Sequence, residues 1–143
     1  MRTVLMAYDG SDSSKRALQY LVDFAKDNQG PLQVHVLNVQ QEPLLFGEYV
    51  TGDMIDELTR SLMTKGDQVS EEAIARLRSA GINAEAHAAL GNVPERVRDA
   101  VAQLGCDTVV MGTRGLSSFT GLLLGSVATR VIHEVPVPVL LVK

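Results

Sequence analysis

Residues 106 to 128 read Cys106-Asp107-Thr108-Val109-Val110-Met111-Gly112-Thr113-Arg114-Gly115-Leu116-Ser117-Ser118-Phe119-Thr120-Gly121-Leu122-Leu123-Leu124-Gly125-Ser126-Val127-Ala128. Val109-Val110-Met111 is continuously apolar, the pattern of a strand covered on both faces. A glycine-rich loop follows, and then the start of a helical pattern at Gly125. Strand, glycine loop and helix in that order form the βα unit of an open parallel sheet, and such sheets bind ligands beyond the carboxyl ends of their strands. Glycine lets backbone N–H groups come close to an anion, and a helix start adds unpaired donors and about half a positive charge. Arg114 can contribute a charged fork, and Ser126 a hydroxyl that donates to phosphate or caps the helix. Glycines at a strand end are also ordinary turn residues, so the spacing leaves a phosphate loop and a plain turn both open.

Outward from this unit the chain alternates short apolar runs with helical periodicity, which predicts successive βαβ units in one domain over 1–143. The first strand is residues 3–8. Ser11-Asp12-Ser13-Ser14, a cluster of N-cap residue types, opens a helix whose apolar stripe is Ala17, Leu18, Leu21, Val22, Phe24 and Ala25. A second strand spans 32–39, and a long helix near 52–80 carries Ile55, Leu58, Leu62, Val69, Ala73 and Leu77, with Gly66 in the gap. The third strand, 82–89, sets Ile82, Ala84, Ala86 and Ala88 on one side and Asn83, Glu85 and His87 on the other, so one wet face suits an edge. A third helix starts at Asn92 with Glu95 three residues on and stops at Gly105. Strands at 107–112 and 137–142 flank the last helix, 125–134. The first and fourth strands, continuously apolar over Val4-Leu5-Met6-Ala7 and Val109-Val110-Met111, suit the doubly covered centre. The last strand, Val137, Val139, Leu140, Leu141 and Val142, is apolar too, yet its place in the chain suggests an edge. Pro136 and Pro138 protect only its start, and with no further segment after Lys143 a second copy is the simplest cover, so a homodimer through this strand is expected. The connection at 40–51, with Leu44, Leu45, Phe46 and Tyr49, reads as a flap packed over the sheet or as a lid over a ligand.

The chain has 143 residues, 45% of them apolar and 21% charged, which excludes disorder and predicts a globular core. No apolar run reaches the ~18 residues of a membrane span, and the amino terminus lacks signal-peptide anatomy. The single cysteine, Cys106, cannot form an internal disulfide or a zinc cluster, so a reduced, cytoplasmic protein is expected. The net charge of −4 argues against a general nucleic-acid or anionic-membrane binder. From Gly112 onward, however, three cations face one anion, so the glycine-rich quarter is locally positive. There is no Gly-x4-Gly-Lys-[Ser/Thr], and Tyr8-Asp9-Gly10-Ser11 after the first strand is not Gly-x-Gly-x-x-Gly.

Gly112, Gly115, Gly125 and Ser126 match Gly-x2-Gly-x9-Gly-[Ser/Thr], and in this the chain resembles the ATP-binding universal stress proteins of the UspA superfamily. The resemblance covers the whole chain. Asp9-Gly10-Ser11 is similar to the family's amino-terminal Asp-x-Ser element, and Gly91-Asn92-Val93-Pro94 to its turn before the third helix. Residues 106–112 resemble its Asp-hydrophobic-Met-Gly strand, and Gly125-Ser126-Val127-Ala128 with residues 136–140 its closing helix and strand. The resemblance implies a five-stranded parallel sheet of Rossmann-like kind, order 3-2-1-4-5, helices on both faces, and dimerisation through strand 5. It implies ATP as ligand, alone or with Mg2+. Ala7 and Asp9 would line the adenine and ribose side, and Val39 would meet adenine through its backbone. Gly112, Thr113, Arg114 and Gly115 would wrap ribose and phosphates, with Ser117 and Ser118 continuing the loop. Gly125, Ser126, Val127 and Ala128 would hold phosphates at the helix start. Asp9 or Asp12 could help hold the magnesium ion, a capping role for Asp12 being the other reading.

Efficient catalysis is not expected, because residues 112–133 contain no Asp or Glu to serve as base at a γ-phosphate. His35 and His87 alternate with apolar residues and read as structural or solvent-facing, and His133 as a favourable charge at a helix carboxyl end. Met54 and Met63 read as core filling. The function expected is that of a nucleotide-dependent, homodimeric sensor or regulator in stress response. A slow ATPase or (auto)phosphotransferase using the same pocket is the alternative.

Overall fold

The computed structural model describes residues 1–42, 44–45, 47–115 and 124–143. Strands and helices alternate through them: β1 (Thr3–Ala7), α1 (Asp12–Asp27), β2 (Gln33–Gln40), α2 (Gly52–Ser79), β3 (Asn83–Leu90), α3 (Val93–Leu104), β4 (Thr108–Gly112), α4 (Ser126–Glu134) and β5 (Val139–Val142). The strands form one sheet in the order β3-β2-β1-β4-β5, every neighbouring pair parallel. This is the doubly wound α/β architecture expected, with β1 and β4 central and β3 and β5 at the edges.

Side chains of one strand alternate between faces, and the core divides accordingly. Val4, Met6, Val34, Val36 and Val110 pack with Leu18, Leu21 and Leu77 of α1 and α2. Leu5, Leu37, Val109 and Met111 pack with Val97, Val101 and Val131 of α3 and α4. Both layers are needed because β1 and β4 are apolar on both sides, and a single layer would leave half of each strand in water. Cys106 lies in the second layer, where burial pushes its thiol up to about 11, so it stays protonated and unreactive.

The helix starts follow local chemistry. Ser11 caps α1 by accepting the Ser14 N–H at 3.3 Å, Thr51 caps α2 through the Met54 N–H at 3.2 Å, and Asn92 caps α3 through the Glu95 N–H at 3.3 Å. Gly105 ends α3 at φ +63, the left-handed conformation that glycine adopts without a Cβ clash. The capping reading of Asp12 is corrected: Ser11 is the cap, and Asp12 is the exposed first helical residue. The last strand is also shorter than 137–142. Pro136 and Pro138 have no N–H to give a ladder, and pairing begins only at Val139 opposite Val109.

The expectation that Met54 fills the core fails for a geometric reason. Twenty-eight helical residues extend about 42 Å, whereas the eight-residue strands beneath reach only about 26 Å. The amino-terminal half of α2 therefore overhangs the sheet. Met54 is 51% exposed and Ile55 46%, so neither fills the core. In the preceding connection Leu44 is 82% and Tyr49 90% exposed, so these two do not pack over the sheet, while Phe46 lies outside the described residues. The carboxyl-terminal half lies close, because a Cβ on Gly66 would meet Asn38 Oδ1 at 3.0 Å and Ala88 Cβ at 3.2 Å.

Candidate functional site

β1 leads leftward to β2 and β3, whereas β4 and β5 lie on its other side, so strand order reverses between β1 and β4. Connections leave the carboxyl ends of these two strands in opposite directions and open a crevice there. A cavity of about 320 Å³ occupies it. The structure brings Ala7, Asp9, Val39, Gly112, Thr113, Arg114, Gly115, Gly125, Ser126, Val127 and Ala128 to its wall. Ser117 and Ser118 lie outside the described residues. Asp12 does not line the cavity.

The cavity has two chemically different ends. Ala7, Leu37, Val39, Val93 and Met111 make an apolar slot suited to a flat ring. Residues 112–115 and the first turn of α4 make the other end, where the leading N–H groups of α4 have no intrahelical acceptor. Gly125 is the N-cap and supplies no side-chain cap bond, so no hydroxyl or carboxylate of the cap residue occupies those donors. Ser126 is the first helical residue rather than the cap.

Strand parity explains why Val39 can offer its backbone. The Tyr8 N–H donates to the Leu37 carbonyl at 2.9 Å, the last ladder bond between β1 and β2. In a parallel ladder alternate residues turn both backbone groups to the same neighbour, so Val39 faces the β1 side just past where β1 stops. The Tyr8 carbonyl there is taken by Asn38 Nδ2 at 2.9 Å.

The glycine end is held by α1. Ser13 Oγ donates to the Arg114 carbonyl, and Ser11 Oγ reaches the same oxygen at 3.4 Å. The Gly125 N–H donates to the Thr113 carbonyl at 2.9 Å, and the Thr113 N–H to the Val142 carbonyl at 2.9 Å. Asp9 Oδ1 accepts the Ser11 N–H at 2.9 Å, while a Cβ on Gly115 would come within 3.0 Å of Asp9 Oδ2. The Asp9 carboxylate thus stands in the cavity wall beside the loop, an acid that the loop's own sequence does not contain.

Sequence reading did not name Tyr8, Ser14, Leu37, Val93 and Met111 as cavity residues. Leu37 and Met111 were legible in principle, since they share a strand and a face with Val39 and Val109. Ser14 and Val93 come from helix starts, which only packing brings in. The Tyr8 ring lies in the core beneath α1 and α2, where burial first, then Glu72 and Asp9, raises its phenol above the ordinary value.

Fold and cavity together define a doubly wound parallel α/β protein with its cavity at the topological switch point. The chain belongs to the universal stress protein family, whose model matches residues 1–143. It is 31% identical to the universal stress protein YxiE of Bacillus subtilis, across 98% of this chain and 97% of that one. Among solved structures it is similar to the hypothetical protein MJ0577, with a TM-score of 0.84 and 25% identity over 99% of this chain and 95% of that one. A family member from Arabidopsis thaliana, At3g01520, solved with AMP bound, shares the fold at a TM-score of 0.73 and 20% identity, covering 100% and 92% of the two chains.

Proposed function

We propose that this chain binds ATP in the crevice between β1 and β4 and acts as a homodimeric, nucleotide-dependent sensor or regulator of a stress response in the cytoplasm. One observation carries the reading: a single cavity joins an apolar slot to an end lined by glycines and by the first turn of α4. Adenine would lie in the slot, its edge bonded to the Val39 backbone, with ribose toward Ala7 and Asp9. The phosphates would take the donors of Ser126, Val127 and Ala128, with Arg114 supplying positive charge. Asp9, in the cavity wall, would be the carboxylate that helps hold a nucleotide-bound Mg2+. That a protein of this fold is solved with AMP bound supports the adenine nucleotide class.

The test is to denature protein purified without added ligand, identify any nucleotide released, and titrate the emptied protein with Mg-ATP. About one ATP per chain, or saturable binding lost in Gly115→Val, is the expected result. A glycine loop that takes up no adenine nucleotide at millimolar concentration would overturn the reading and leave it as a scaffold. Slow ATP hydrolysis is a second reading, favoured by the Asp9 carboxylate in the cavity wall. It requires phosphate release at saturating Mg-ATP, and Ser126→Ala to reduce it.

A further inference from the structure

Away from the crevice, on the sheet face that carries α3, three side chains of β2 and β3 converge. Register brings them together: His35 lies directly opposite Glu85, and His87 is two residues further along β3 on the same face. His35 Nδ1 and His87 Nε2 are 3.0 Å apart, and Glu85 Oε2 lies 3.5 Å from the first and 4.0 Å from the second. The geometry points to a site for a divalent transition metal of the zinc class, bound by His35 Nδ1, His87 Nε2 and a Glu85 carboxylate oxygen.

Donor spacing is the first argument. Bonds of about 2.05 Å at tetrahedral angles set neighbouring donors roughly 3.3 Å apart. The three separations bracket that value, so small side-chain rotations complete the triangle without moving a strand. Chemistry of the donors is the second. Two imidazoles with one carboxylate suit Zn2+, and Cu2+, Ni2+ or Co2+ bind the same set, whereas Mg2+ and Ca2+ prefer oxygen alone. The alternative arrangement is poorer for the groups involved. A single proton shared between the two imidazoles uses two of the three facing lone pairs, and the carboxylate oxygen remains beyond hydrogen-bond distance of the buried ring. Burial sets the coordination number. The His35 side chain is only 10% exposed and anchors the site, whereas that of Glu85 is 58% exposed, which leaves a fourth position on the solvent side for water.

The test uses tag-free protein at neutral pH, titrated with Co2+ while the visible d–d absorption is followed, and then with Zn2+ by calorimetry. Saturation at one ion per chain is expected, with the intense visible bands of four-coordinate Co2+ and their loss when Zn2+ is added. His87→Gln and Glu85→Gln should each weaken Zn2+ binding at least tenfold, and His133→Gln, on α4, should leave it unchanged. Because His87 and Glu85 are at an edge strand, those two variants should fold even if His35→Gln does not, and circular dichroism checks this. Absence of saturable binding at millimolar Zn2+, or affinity unchanged in His87→Gln, would overturn the assignment.

Discussion

At Gly112 an added Cβ would lie 2.8 Å from the Ser13 carbonyl carbon and from Ser13 Cβ, a contact with backbone that no rotamer change relieves. Glycine is required here by close approach, since α1 begins against the end of β4. Gly112→Ala should therefore cost about 1–3 kcal/mol through overpacking, measured by urea unfolding, and should weaken nucleotide binding beyond that. Gly115 differs, because its nearest obstacle among the described residues is the movable Asp9 side chain at 3.0 Å. Gly115→Ala should leave stability within about 0.5 kcal/mol in the same measurement. The glycines of the motif were legible in the sequence as a set. Their separate reasons were not, because Ser13 and Asp9 are about a hundred residues away in the chain.

Among the elements, β1 and β4 are joined at their amino ends by Asp107. Its Oδ2 accepts the N–H of Arg2 at 2.8 Å and of Thr3 at 3.2 Å, and Thr108 Oγ1 donates to Oδ1 at 2.7 Å. Burial would raise this carboxyl, but the Thr108 hydroxyl and the two N–H donors more than offset it and hold the group below the usual carboxylate range. A depressed folded value means that the contribution is complete above the unfolded value of about 3.9 and disappears as pH falls through the folded one. Wild-type stability should thus decline below about pH 4 more steeply than that of Asp107→Asn, in urea titrations at stepped pH. Near neutrality the variant should lose about 1 kcal/mol or less, since the asparagine oxygen still accepts and the site is exposed. β5 yields a second prediction. The Val109 N–H donates to the Pro138 carbonyl and the Thr113 N–H to the Val142 carbonyl, so Leu141 turns its own N–H to the free edge. If the apolar edge is covered by a second copy, Leu141→Pro should halve the mass seen by light scattering while the circular dichroism spectrum is kept.

For the whole molecule, ligand and stability are linked. A nucleotide that binds only the folded chain adds about 2.7 kcal/mol at a hundredfold excess over Kd, roughly 8 °C in Tm for a chain of this size. Thermal unfolding with and without Mg-ATP should show this rise in the wild type and not in Gly115→Val. Hydrogen exchange should slow at residues 112–115 and at the start of α4, where the donors become occupied. Exchange in the connection at 40–51 decides whether that segment also responds, since Leu44 and Tyr49 stand exposed in the structure.

The amino-acid sequence by itself determined the alternation of strands and helices, the central and edge strands, the caps at Asn92 and Gly105, and the glycine spacing after β4. These features are local or periodic, set by side-chain alternation, capping chemistry and backbone freedom within a few residues. Tertiary structure alone decided which face each residue meets and which distant groups become neighbours. The overhang of α2 depends on the length of strands it does not contain. The placement of Ser13 against Gly112, of Asp107 against the start of β1, and of His35 against Glu85 and His87 depends on strand register across loops and crossovers. Register is a property of the packed sheet: sliding one strand by a residue would leave its own sequence pattern unchanged and move every contact that this strand makes with its neighbours.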